Sequence, residues 1–137
     1  MKRFYAVTVK PFLVVTGAGT AVAALDAFLP QWTVEEVQKL TWAPEYTLFV
    51  QHWGIMVGLM GVAMIVAAFR EGWRTPILLY AAVEKAFMVY LYVKSAGQPF
   101  AQGFLLPAVM DALVVLYVVG WLGIGGARTP RLVLAPS

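Results

Sequence analysis

A chain of 137 residues that is 61% hydrophobic and 12% charged, with a mean hydropathy of +0.78, carries more apolar surface than one small soluble core can hide. The lack of cysteine excludes disulfides, thiolate metal sites and cysteine nucleophiles, and a single histidine excludes a bis-histidine haem. The formal charge of +3 would suit nucleic acid, but the basic residues form no patch interleaved with exposed aromatics, so no nucleic-acid partner is expected.

Four apolar stretches run from Phe12 to Leu29, Tyr46 to Phe69, Pro76 to Val93 and Phe104 to Gly123. Each is long enough, at about 1.5 Å per residue, to cross roughly 30 Å of hydrocarbon with some tilt or an interfacial fringe. The expected fold is an all-α integral membrane protein: a four-transmembrane-helix bundle forming one membrane domain over residues 1–137, with the lipid bilayer as its first partner and no cofactor.

The first stretch follows Lys2, Arg3 and Lys10 and carries an A-x-A at Ala21 to Ala23, the pattern of a signal peptide and its cleavage site. We read it as a retained first helix starting near Pro11. Pro30 closes it, and the connection over residues 30–45 places Val34, Val37 and Leu40 at helical spacing beside Glu35, Glu36 and Lys39. That pattern predicts a short amphipathic helix at the membrane interface.

Pro44 precedes the second span, which carries Gln51, Gly54, Gly58 and Gly61 along one helical track. Thr16, Gly19, Ala23 and Asp26 form a similar track on the first. Lipid gives helices no hydrophobic reason to associate, so close approach over small residues is the expected packing mode, and these two faces are expected to meet. A homodimer contact is the rival use of the glycines.

Thr75 and Pro76 read as the N-cap and first residue of the third span, and Pro107 as either first turn or kink of the fourth. The tail after residue 123 reads as short and loosely ordered. Lys2, Arg3, Lys10, Arg70, Arg74, Arg128 and Arg131 fall on one side of the expected membrane, and Lys39 and Lys94 on the other. The positive-inside rule then predicts a bacterial-type inner membrane with both termini cytoplasmic. Trp and Tyr cluster at both expected interfaces, as amphipathic rings do.

Every span carries an ionisable residue: Asp26, His52, Glu84 with Lys85, and Asp111. Glu84 lies roughly 12 Å from the inner edge of its helix, near mid-membrane, and the others fall in the outer half. Charges at such depth usually face a bundle interior and serve a purpose. Glu84 and Lys85 point about 100° apart, so they are expected to serve different neighbours. Three carboxylates against one ammonium and one imidazole leave surplus negative charge, to be met by a proton, a cation or water.

No Glu-x-x-His or His-x-x-x-His spacing occurs, so no metal is expected. The leading expectation is a non-enzymatic membrane protein whose outward-facing pocket, lined by His52, Glu84, Lys85, Asp111 and Asp26, binds a small ligand, a cation or protons. A structural or accessory subunit of a larger complex, or a homo-oligomer, is the first alternative, with the charges as a register-fixing network. The second is a small membrane enzyme using Glu84, Asp111 or His52 as acid and base on a lipid-soluble substrate.

Overall fold

The computed structural model describes residues 2–124. Arg128, Arg131 and the tail expected to be loosely ordered lie outside the described residues. Within them the chain is helical, with no strand. Helix α1 (Lys2–Ala21) runs through a 3-10 turn (Val22–Ala24) into α2 (Leu25–Phe28), and α3 (Pro30–Trp32) continues as a π-helical turn (Thr33–Val37). After a 3-10 turn (Pro44–Tyr46) come α4 (Thr47–Phe69), α5 (Glu71–Lys94), a second 3-10 segment (Pro99–Phe104) and α6 (Leu105–Gly123).

Four helical rods, Arg3–Phe28, Pro44–Phe69, Glu71–Lys94 and Pro99–Gly123, are long and apolar enough to cross a membrane. The first and third begin earlier than the hydropathy pattern indicates, for identifiable reasons. Pro11 lies inside α1 and forfeits one helical hydrogen bond. The turns before it are held because Tyr5 and Phe12 pack on Tyr117 of α6, Phe12 stacked at 3.7 Å between ring centroids. Pro76 likewise lies inside α5, and Thr75 is not a cap. The helix starts at Glu71 because Arg70 is extended (φ −122°, ψ 96°), turning the chain back so that Arg74 hydrogen-bonds to the end of α4. Pro107 stands in the first turn of α6, where a missing N–H costs nothing.

The connection between the first two spans contains a helical segment over residues 30–37, which buries Thr33 and Val34, half-buries Leu40 and leaves Val37 exposed. It ends at Lys39, whose φ of 57° is left-handed. The N–H groups of Gln38 and Leu40 donate to Thr33 and Val34 carbonyls, so the reversal satisfies groups a helix end otherwise orphans.

The first span packs on α4 through buried Gly54, Gly58 and Gly61. A Cβ on Gly58 would stand 2.7 Å from Ala24 Cβ, and one on Gly61 would strike the Ala21 backbone. Opposite Gly58 and Gly61 the facing residues are Gly17, Ala21 and Ala24, while of the expected track Ala23 and Asp26 meet Gly54 and Gly19 does not take part. Val9 and Leu13 are buried, and Gly17 is the next position on their face; Gly19, about 200° further round, is exposed with open space at its Cβ. Helix α4 also contacts α5, α5 packs on α6, and α6 returns to α1 where the Thr8 hydroxyl lies 2.8 Å from Tyr117 Oη. The result is a ring of four antiparallel neighbours.

Its apolar core is concentrated toward the end that holds the start of α1 and the α4–α5 turn, here the terminal end. Leu13, Met64, Leu78 and Val118 are fully buried there, with Trp121 beside them. The opposite end, with residues 29–46 and the α5–α6 turn, is the loop end.

Candidate intramembrane site

Helix α5 buries Leu78, Ala81 and Lys85 at helical spacing, and α6 buries Ala108, Val114 and Val118. Asp111 shares the α6 stripe, one turn from Val114. Because α5 and α6 are antiparallel neighbours, Lys85 and Asp111, each one turn toward the loop end from the apolar core, come level. The Lys85 ammonium donates to Asp111 Oδ1 at 2.6 Å. Both side chains are largely hidden, at 6% and 14% exposure. This is a short charge-assisted contact, the geometry that gives an ion pair its best return in a low dielectric.

Glu84 sits beside the pair, turned toward the rim of α5, with its side chain 32% exposed. Its Oε2 is buried, accepts no hydrogen bond and lies 3.9 Å from Lys85 Nζ. The ammonium is thus committed to Asp111 and only secondarily attracts Glu84. Two carboxylates around one ammonium leave one negative charge when all three are ionised.

Asp26 lies elsewhere, at the loop end. It is 5% exposed and accepts from Gln38 Nε2 at 3.3 Å. Its Cβ would be 2.6 Å from a Cβ on Gly54, so the carboxylate is wedged into the seam between the first span and α4. Gln51 Nε2 donates to the Ala27 carbonyl at 3.0 Å and closes the same seam. The backbone of Gln38 also packs against Gly103, where a side chain would not fit, so the connection lies over the start of the fourth span. Gln38, which holds the Asp26 carboxylate, and Gln51, which ties the adjacent Ala27 carbonyl, are the ones sequence reasoning passed over as partners. Gln51 was visible on the glycine track; Gln38 gave no signal.

His52 does not join either group. It is exposed and, among the described residues, its side chain forms no hydrogen bond or ion pair. The cause is helical phase: two residues separate it from Gly54, about 200° of rotation, so burying the glycine face turns His52 away. Among the described residues, no three His, Asp or Glu side chains gather as a metal site would require. The arrangement can therefore fix α5 against α6, and it can receive a proton or a small cation at Glu84.

No family model matches the chain, and no characterised protein or solved structure shows significant similarity to it.

Proposed function

We propose that this small polytopic membrane protein takes up a proton or a small monovalent cation at Glu84, between α5 and α6. The membrane is of the cytoplasmic type, both termini are cytoplasmic, and the loop end faces outward. The observation that carries the reading is Glu84 Oε2, a buried oxygen without a donor, next to an ion pair whose charges already cancel. An ionised side chain near the centre of a membrane helix costs about 2.5–3.5 kcal/mol even on the lenient insertion scale, and the ammonium 3.9 Å from Glu84 is already hydrogen-bonded to Asp111. A bound proton or cation removes that cost. Lys85 and Asp111 act as positioning groups, while Asp26, wedged in the seam with α4, and His52 take no part. The fully buried Leu13, Met64, Leu78 and Val118 support entry from the loop end only.

The test is reaction of the reconstituted protein with dicyclohexylcarbodiimide, a lipid-soluble reagent for protonated carboxyl groups. Modification at Glu84 that slows as pH or sodium concentration rises, and is lost in Glu84→Gln, is the expected result. Labelling confined to Asp26, or labelling of Glu84 indifferent to both conditions, overturns the reading.

A second reading, an accessory subunit of a larger complex, is favoured by the same Lys85–Asp111 contact seen as a lock between two spans. It expects Glu84→Gln to leave ion uptake unaltered and to weaken co-purification of a membrane partner.

A further inference from the structure

A groove lies outside the bundle, on the connection between the first two spans. The helical segment over residues 30–37 puts Trp32 three and four residues before Glu35 and Glu36, so the indole and the two carboxylates share one side. The reversal at Lys39 then brings Trp42 back to that side. Together with Leu29 and Pro30 these residues line an open groove of about 510 Å³. Trp32 is half-exposed, at 50%.

The carboxylates are only loosely engaged. Glu35 accepts from Gln31 Nε2 at 3.3 Å, and Glu36 lies 3.4 Å from Lys39 Nζ, both in exposed positions. Neither contact is short. Such exposed pairs are weak and readily exchanged.

We propose that this groove binds a quaternary ammonium group of the choline type. Two indoles and two acidic side chains around an open, partly apolar space are the chemistry that recognises a diffuse organic cation: the ring faces attract it and the carboxylates supply a negative field. A trimethylammonium group has no N–H to satisfy and is weakly hydrated, so it gains from indole contact without needing the converging oxygens that a metal ion or a primary amine requires. Among the described residues no three-ligand metal cluster exists here. The groove sits between the end of the first span at Phe28 and the start of the second at Pro44, at headgroup level for a bundle that crosses a bilayer. The ammonium therefore arrives either on a choline lipid or as a free cation.

The full chain, purified in a maltoside detergent, is titrated with tetramethylammonium chloride while tryptophan fluorescence is followed, against ammonium chloride at equal ionic strength. A saturable change with tetramethylammonium and none with ammonium is expected. Trp32→Leu is expected to weaken binding about tenfold, the loss of one good cation–π contact. Glu35→Gln with Glu36→Gln, exposed replacements that leave packing untouched, weakens it as well, while Trp73→Leu, on the distant start of α5, leaves it unchanged. Equal responses to the two salts, or full binding by both the Trp32 and the double glutamate variants, overturn the proposal. A short-chain phosphocholine lipid, added below its micelle concentration, then assigns the source: competition more potent than that of free choline identifies the lipid headgroup, and equal or weaker competition a free cation.

Discussion

Lys85 and Asp111 face each other across the α5–α6 interface with Nζ 2.6 Å from Oδ1, and among the described residues theirs is the ion pair that joins two of the four long apolar helices. Such a pair is costly to break from one side. Lys85→Met is expected to lose about 3–5 kcal/mol of stability, because Asp111 and Glu84 are left buried or half-buried without a cation. Combining it with Asp111→Leu is expected to recover most of that loss, since the same space is then apolar. Unfolding in mixed micelles measures both; a double variant as unstable as the single one refutes the account.

The seam between the first span and α4 makes an equally direct contrast. Gly61→Ala puts a methyl group into the Ala21 backbone and is expected to cost about 1–3 kcal/mol, the usual penalty for overpacking. Gly19→Ala meets open space and is expected to be neutral or stabilising by up to about 1 kcal/mol, because alanine is the better helix former. Thermal denaturation of the two variants in the same detergent checks the sign of each.

These glycines also show how far the sequence could be read. The number of spans follows from hydropathy, and the α4 face from the spacing of Gly54, Gly58 and Gly61, because both are properties of one helix. Which face of the first span would answer was not visible. Two small-residue tracks run along it, and only the burial of Val9 and Leu13 against the rest of the bundle selects Gly17 over Gly19. The same limit governs the partner of Lys85. The choice of Asp111 rather than Asp26 as the lysine's partner depends on the register of α5 against α6. His52, by contrast, was readable: the glycine face that packs on the first span already turns it outward. Early helix starts were missed because they rest on Arg74 and Tyr117, side chains acting across elements.

Arg74 ties the α4–α5 turn by donating Nε to the Ala67 carbonyl at 3.2 Å and an Nη to the Ala68 carbonyl at 3.0 Å. Those carbonyls have lost their helical partners because the chain leaves the helix at Arg70. Arg74→Gln is expected to cost about 1.5–3 kcal/mol, the range for hydrogen bonds to a charged group. Arg74→Lys is expected to recover little, since one ammonium on a flexible stem does not reproduce a planar fork. Amide exchange over residues 66–73 reads the effect locally and should quicken in both variants.

On the function proposed above, the direction in which the bundle crosses the membrane decides what reaches Glu84, and the absence of cysteine makes it measurable. Glu45→Cys lies in an exposed turn at the loop end, and Gly72→Cys at the terminal end, where a Cβ meets nothing. The terminal end carries Lys10, Arg70 and Arg74, with Lys10 held 4.6 Å over the Phe69 ring, a charge bias in keeping with the cytoplasmic side proposed for that end. A membrane-impermeant maleimide added to intact cells is therefore expected to label Glu45→Cys and to spare Gly72→Cys until the membrane is opened. The reverse pattern would turn the loop end to the cytoplasm. Because the apolar core closes the terminal end in either case, it would also reverse the side from which a proton or cation enters. The carbodiimide reaction at Glu84 would then follow cytoplasmic rather than external pH, which ties the topology of the chain to the chemistry proposed for it.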